Sequence, residues 1–205
     1  VRFENHTLYP QADGETTLQV EHAGQSVSAT ITVANAAVTR DVSFKLDVMP
    51  VLTRSGCNTG SCHGAARGKD GFRVSLFGYD PDGDHFRITR EMGPRRINLA
   101  IPEESLLLEK AIGAVPHTGG KLFDKNSEYY QTIVKWLRAG ALNDPGDVPT
   151  VTKVDLFPPV AVLEGDSATQ QLLARAHYSD GTDRDVTTLA AFTTNNDNSG
   201  AVSKA

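Results

Sequence analysis

Alternation of apolar and polar residues at both ends of the chain predicts β-strands. Near the start, residues 17–20 and 26–33 alternate, and Ala23-Gly24-Gln25 between them favours a turn. Near the end, residues 168–178 are largely alternating and lead into the turn residues 179–182. Short strands joined by polar turns are typical of immunoglobulin-like β-sandwiches, so each flank is predicted to be part of such a sandwich.

The middle of the chain changes to the spacing of a helix. Ser43 is a candidate N-cap for a short first helix, which Pro50 must kink or restart. The apolar residues on one face of that helix are Phe44, Val48, Val51 and Leu52.

Two further helices are predicted before the second β flank. One begins near Pro102 and runs to Lys110, with proline and acidic residues in its first turn. The last runs from its cap Ser127 to about Ala139, with Gly140 as its stop. Its apolar stripe is formed by Tyr130, Ile133, Val134 and Leu137, with Trp136 alongside. The first and last helices are expected to cross and share one core.

These changes of pattern predict a multidomain α plus β chain. Residues 1–42 are interpreted as the closing strands of an Ig-like sandwich, 43–148 as a small all-α domain, and 149–205 as opening strands of a sandwich. Because an open sheet edge invites pairing, the two flanks are expected to pair with each other, within one chain or between chains.

Charge separates the middle from the flanks. The 205 residues carry a net charge of −5, divided as −3 over residues 1–44, +1 over 45–147 and −3 over 148–205. A middle section so close to neutral argues against a nucleic-acid-binding protein. No apolar stretch is long enough to span a bilayer. We interpret the chain as an excerpt of a longer protein, with any export signal outside it.

The two cysteines of the chain, Cys57 and Cys62, are followed directly by His63. Two thiols can add to the vinyl groups of a haem as thioethers, while the neighbouring imidazole binds the iron. A Cys57–Cys62 disulfide is an alternative, although it would close a small loop and leave His63 unexplained. A zinc site is another alternative, but it would need a distant fourth ligand.

Phrases around this motif resemble the cytochrome c domain of large exported proteins of planctomycete bacteria, which often lies next to bacterial Ig-like (Big-2-like) modules. The resemblance covers residues 43–147. Members of this group include versions with the widened Cys-x4-Cys-His spacing that this chain has. It is carried by DVMPVL (47–52), GCNTGSCHGAARG (56–68), FRVSLFGYD (72–80), GAVPHTGG (113–120) and YYQTIVKWL (129–137). It implies a class I-like cytochrome c domain with one covalent haem c, in which His63 is the proximal iron ligand.

The second axial ligand is predicted to be His117. Comparable domains carry Met-Pro just before the last helix, where this chain has Val115-Pro116-His117. Met92, His85 and an open position are the alternatives. The remaining histidines, His6, His22 and His177, lie in the β flanks and are expected to have surface or packing roles.

The resemblance implies one-electron transfer outside the cytoplasm, in the periplasm or a comparable compartment, rather than catalysis. Its alternatives are a peroxidase-like haem enzyme or sensor with an open iron position, and a haem-free Ig-like adhesion module. Redox partners are expected but not identified, and catalytic domains elsewhere in a full-length protein stay open. The candidate apolar pocket residues are Phe72, Leu76, Phe77 and Leu107.

A run of basic residues accompanies the motif. It is interpreted either as a solvated surface or as a rim that neutralises haem propionates or docks an acidic redox partner. Its members are Arg67, Lys69, Arg73, Arg87, Arg90, Arg95 and Arg96. The nearby Asp80-Pro81-Asp82-Gly83-Asp84 is predicted to form a turn, not a calcium loop.

Overall fold

The structure is a computed structural model that describes residues 1–4, 7–165 and 167–203. His6, one of the histidines assigned a surface or packing role, lies outside the described residues. The chain divides into two compact units, Val1–Asp41 and Val42–Ala205. Helices and small antiparallel sheets are both present, which confirms a mixed α and β chain. Within the described residues no helix is both long and apolar enough to cross a membrane.

The first unit consists of two antiparallel hairpins. The first pairs β1 (Arg2–Glu4) with β2 (Thr7–Tyr9), and the second pairs β3 (Gly14–His22) with β4 (Gln25–Val33). Ala23 and Gly24 make the turn between β3 and β4, both with positive φ, as the sequence predicted. Each of these sheets has two strands, so a complete sandwich and its pairing with the other flank stay predictions.

The second unit begins with the helical region. Its α-helices are α1 (Met49–Arg54), α2 (Pro81–Thr89), α3 (Gly93–Arg96), α4 (Leu106–Ala111) and α5 (Glu128–Arg138). A π-helical turn (Phe44–Val48) and 3-10 turns (Leu76–Gly78 and Pro102–Glu104) accompany them.

The first helix restarts at its proline, as predicted. The Ser43 side chain caps it by accepting a hydrogen bond from the Leu46 N–H. Pro50 has no N–H to donate, and the preceding turn is widened so that the Met49 N–H bonds to the Phe44 carbonyl. The α-helix α1 then begins directly after this turn.

The last helix matches its prediction closely. Ser127 accepts a hydrogen bond from the Tyr130 N–H, and Gly140 follows the helix with a φ of +91°. The four residues of its stripe and Trp136 alongside them are all buried. They join Phe44 and Val48 in one core, where the Phe44 and Trp136 rings lie 5.3 Å apart.

Two local predictions are corrected by the structure. Asp80 does not open an isolated turn, since its carboxylate accepts the Gly83 N–H and caps α2. The helix expected from Pro102 to Lys110 is broken at Ser105, whose backbone is extended. Ser105 is fully buried and its hydroxyl accepts the Asn98 N–H, a tertiary bond that separates the 3-10 turn from α4.

The second β flank packs against the helices of the same unit. Its sheet has the order β5 (Val151–Phe157), β6 (Leu173–Tyr178), β7 (Asp183–Asp185), with the predicted turn between β6 and β7. From β7, Arg184 donates to the buried Asp47 carboxylate over 2.7 Å. The Tyr129 hydroxyl of α5 donates to the Thr188 carbonyl, and Leu189 packs on the core.

Candidate functional site

A cavity in the helical part of the second unit collects most of the predicted site residues. It encloses about 960 Å³ including the space at its open mouth, and its lining is mostly apolar. Its apolar walls are formed by Leu52, Phe72, Val74, Leu106, Leu107, Ala111 and Leu122. Its polar and sulfur-containing walls are formed by Cys57, His63, Lys69, Asp70, Met92, Arg95, Arg96, Lys110 and His117.

His63 is half-buried and oriented by a backbone carbonyl. Its Nδ1 lies 3.1 Å from the Phe72 carbonyl oxygen, and because a carbonyl only accepts, Nδ1 is the protonated nitrogen. Burial lowers the pKa of His63, and the neighbouring His117 lowers it further, although the hydrogen bond to Phe72 acts in the opposite direction. The imidazole is therefore neutral at pH 7, with the lone pair of Nε2 available to a metal.

Two glycines hold the loop that carries the Phe72 carbonyl. A Cβ at Gly64 would overlap the Asn58 carbonyl, so the chain can fold back on itself directly after His63 because residue 64 has no side chain. Gly68 has a φ of +65°, and a Cβ there would overlap the Phe72 carbonyl oxygen itself. The His63 N–H donates to the Cys57 carbonyl over 3.0 Å, which closes the preceding loop of residues 57–63.

Arg96 supports the loop that carries the Phe72 carbonyl, a role that the sequence alone did not indicate. It is buried, and its guanidinium lies over the Phe72 ring, 4.7 Å from the centroid. It also donates to the carbonyls of Gly71 and Arg87, over 2.9 and 2.6 Å. Burial lowers the pKa of Arg96, but a guanidinium stays charged at neutral pH.

His117 is oriented by the same kind of bond on a different loop. Its Nδ1 lies 3.0 Å from the Gly120 carbonyl, so its Nε2 also carries the free lone pair. Gly119 lies against the ring, since a Cβ there would be 2.9 Å from the His117 Cε1. The loop between α4 and α5 therefore presents an imidazole whose tautomer is set by its own backbone.

The two imidazoles lie opposite each other with a spacing that fits one metal ion. Their ring centroids are 6.4 Å apart and their planes differ by 4°. Two imidazole nitrogens bound to one ion at about 2 Å each would place the ring centres roughly 6 Å apart. The pair predicted from the sequence is thus brought together across the cavity, although 54 positions separate the two residues.

One of the two cysteines lines the same cavity as this pair. Both cysteines are half-buried, but Cys57 lines the cavity and packs against the core, whereas Cys62 lies outside the cavity lining. Burial raises the pKa of the Cys57 thiol to about 12, with the nearby Cys62 adding to the effect. Both residues are free thiols in this structure.

The alternative iron ligands occupy different places. Met92 lines the cavity, but its side chain is 53% exposed and its φ is +55°. His85 lies in the core, where its ring contacts Phe44 and its Nε2 lies 2.8 Å from the Ala141 carbonyl. His85 therefore does not line the cavity and has its Nε2 engaged by a carbonyl, while Met92 is one of the residues that line the cavity.

The predicted pocket residues separate into two pairs. Phe72 and Leu107 line the cavity. Leu76 and Phe77 lie outside it, with exposed fractions of 43% and 63%. The Phe77 N–H donates to the Asn58 carbonyl in a left-handed turn, which places this segment against the loop between Cys57 and Cys62 and outside the cavity.

The basic run has members in three kinds of environment. Arg87 pairs with Asp80 and the fully buried Asp84, and Arg96 is internal, so neither is a solvated rim. Arg67, Arg73 and Arg90 are exposed. Lys69 and Arg95 line the cavity, where Lys110 adds a third cation that the sequence analysis did not select.

Comparisons with known proteins give no information on the roles of these residues. No protein-family model matches the chain, and neither curated proteins nor solved structures give a match. Among residues 1–4, 7–165 and 167–203, no group of three or more His, Cys, Asp or Glu side chains is arranged to hold a metal ion.

Proposed function

We propose that this chain contains a c-type cytochrome domain that binds one haem covalently and transfers single electrons outside the cytoplasm. Cys57 and Cys62 would form the thioethers, His63 would bind the iron on one face and His117 on the other. The observation that carries the proposal is the pair of near-parallel imidazoles, 6.4 Å apart, across a cavity that Cys57 also lines.

The donor set favours a porphyrin over a bare metal ion. Structural zinc takes four protein ligands and catalytic zinc three, whereas no group of three or more His, Cys, Asp or Glu side chains among the described residues is arranged to hold a metal ion. A porphyrin supplies four nitrogens of its own, so two protein ligands complete its iron. Both Nδ1 atoms are bonded to carbonyls, the orienting contact that metal-binding histidines usually make.

The remainder of the lining suits the rest of a haem. Its apolar walls can cover the macrocycle and keep water away from it, and Lys69, Arg95 and Lys110 also line the cavity. Cations at that position can neutralise the two carboxylates of a haem. Asp70 is the acidic group among the lining residues.

Bound haem would supply an iron that gains and loses one electron. The residues of the chain would hold its coordination constant through that change, since each imidazole is oriented before any ligand arrives. Two imidazoles favour the ferric state more than an imidazole and a thioether do, so the reduction potential should be lower than that of a His/Met cytochrome c. Filled axial positions also favour electron transfer over catalysis.

The proposal is tested by expressing the chain with an export signal and cytochrome c maturation machinery. Covalent attachment should add roughly 600 Da to the intact mass, and the haem should resist acid extraction. The ferric protein should be low-spin and should bind carbon monoxide poorly once reduced.

Three results would point elsewhere. Formation of a disulfide removes two hydrogens, roughly 2 Da. A haem-free mass lower than that of the reduced chain by this amount would support the disulfide alternative and the adhesion module. Covalent haem in a high-spin state that binds peroxide would support the enzyme or sensor. Absence of a Soret band after competent maturation would end the cytochrome proposal.

A further inference from the structure

The loop that carries His117 is closed at its base by backbone hydrogen bonds. The Ala114 N–H donates to the Glu109 carbonyl over 2.9 Å, and the Leu122 N–H donates to the Ala111 carbonyl over 2.8 Å. These bonds fix where the loop leaves and rejoins the body of the domain. They do not reach His117 at its tip.

The tip of the loop is largely exposed and rich in glycine. Gly113, Ala114, Pro116, Thr118, Gly119 and Gly120 are all exposed. Hydrogen bonds between His117 and Gly120 run in both directions, from the Gly120 N–H and to the Gly120 carbonyl. They set the ring relative to the loop, but not the loop relative to the cavity.

One side chain joins this tip to the body of the domain. The Lys110 Nζ donates to the Pro116 carbonyl over 3.0 Å, at the residue directly before His117. Lys110 lies on α4, and three other residues of that helix, Leu106, Leu107 and Ala111, line the cavity. The lysine therefore connects the wall of the cavity to the peptide that precedes the imidazole.

We propose that Lys110 is a positioning residue for His117, holding the α4–α5 loop so that the imidazole stays across from His63. The assignment rests on the proposed function, because it concerns the second axial ligand. A hydrogen bond from an ammonium to a carbonyl is stronger than a neutral one, and here it replaces the packing that an exposed loop lacks.

The chain offers a matched control for the charge of this lysine. Lys69 lines the same cavity with the same charge, and the hydrogen bonds found for it within the described residues are made by its backbone. K69M and K110M thus remove one cation each from the cavity, but only K110M also removes the bond to the loop. K110R keeps a donor and should restore the wild-type behaviour.

The test uses the ferric haem protein and neutral imidazole as the competing ligand. Imidazole can bind iron only when His117 has left, so its binding rate measures how often the loop opens. We expect K110M to bind imidazole roughly tenfold faster than wild type, from the loss of one charged hydrogen bond. K69M and K110R should bind it at close to the wild-type rate. In all variants the midpoint potential should depend on the charge of the cavity, so K69M and K110M should shift it in the same direction.

A second readout separates this proposal from the function on which it rests. In the haem-free chain, the backbone amide order parameters of His117, Thr118 and Gly119 should be lower in K110M than in K69M, because the bond from Lys110 to the loop is then absent. Equal order parameters, or equal imidazole binding in a low-spin wild type, would overturn the role of Lys110 and leave the cytochrome proposal intact. A chain that never acquires covalent haem would overturn the cytochrome proposal instead.

Discussion

Each imidazole of the candidate site is oriented by a backbone carbonyl close to it in sequence. Phe72 orients His63, and Gly120 orients His117, so both rings have their protonated nitrogen bonded to a carbonyl and their other nitrogen free to bind a metal. Orientation before binding lowers the conformational entropy lost when a metal is bound. At the residue scale the pair is thus prepared for a shared ligand.

In the proposed haem protein, replacing His117 should change the coordination of the iron. We expect H117A to convert the ferric protein from low-spin to high-spin and to raise its midpoint potential, because a ligand that favours ferric iron is lost. Optical spectra and potentiometric titration measure both effects, and added imidazole should restore the low-spin spectrum. M92A is the control, since it removes the other candidate ligand of the cavity and should stay low-spin.

The buried thiol of Cys57 should show its raised pKa in its reactivity. A rise from 9.0 to about 12 lowers the thiolate fraction near pH 8 about a thousandfold. In the haem-free C62S variant, iodoacetamide should therefore alkylate Cys57 slowly in buffer and quickly in denaturant. The rate in the folded chain should keep rising with pH above 10, where a thiol with the ordinary pKa of 9.0 is already mostly ionised. Fast alkylation at pH 8 without denaturant would show that the pKa of Cys57 is not raised.

At the scale of elements, the loop between His63 and Val74 is defined by its glycines. Gly64 and Gly68 are in places where a side chain would overlap a carbonyl. Gly71 also has a positive φ, of +75°, but open space where its side chain would be. Gly68 and Gly71 thus share a left-handed backbone, but an alanine side chain would overlap the Phe72 carbonyl only at position 68.

That difference gives a matched pair of variants. G71A should cost about 1 kcal/mol of unfolding free energy, the strain of a left-handed alanine. G68A should cost about 3 kcal/mol, because the Phe72 carbonyl must also move away. Since that carbonyl orients His63, G68A alone should weaken binding of the proximal imidazole to iron. Urea unfolding and the low-spin spectrum test the pair, and equal costs would contradict the role given to Gly68.

Elements with strong local signals were predicted well. The Ser127 cap, the Gly140 stop and the stripe of α5 all appear where the sequence placed them. The turn at Ala23-Gly24 does so as well. The helices α2 and α3 were not predicted from the sequence. The break at Ser105 was not predicted either, because it depends on a hydrogen bond from the Asn98 N–H that no local sequence pattern indicates.

At the scale of the molecule, the second β flank is joined to the helices. Arg184 reaches across 137 positions to Asp47, which is 6% exposed at its side chain and also accepts the Ser43 N–H. This bond holds β7 against the turn that begins the helical region. A boundary placed at residue 148 would therefore expose part of the core and leave a buried carboxylate without one of its partners.

Removing Arg184 should therefore destabilise the helical region as well as the sheet. We expect R184M to lower the unfolding free energy by about 1–2 kcal/mol, reduced from the value for a fully buried pair because Arg184 is 38% exposed. R175M is the control, since Arg175 pairs with Asp183 on the same sheet in an exposed position and should have little effect. Thermal unfolding followed by the fluorescence of Trp136 measures the stability of both variants. Equal stabilities would contradict a stabilising role for the bond between Arg184 and Asp47.

The sequence by itself determined what depends on neighbours within a few positions. These features are the order of Cys57, Cys62 and His63, the helix caps, the tight turns and the alternation of the strands. Local hydrogen bonds and side-chain sterics decide them before any long-range contact forms. They were sufficient to nominate a haem and His63 as its proximal ligand.

Only the tertiary structure decided which of His117, Met92 and His85 lies across from His63. It also decided that Lys110 reaches Pro116, that Arg96 stacks on Phe72, and that Leu76 and Phe77 lie outside the cavity. Apart from the bond between Lys110 and Pro116, which are six positions apart, these relations join segments far apart in the chain, and they depend on how the helices pack around one core. No pattern in a single segment contains that packing, because each contact is set by the combined volume and polarity of residues from several elements.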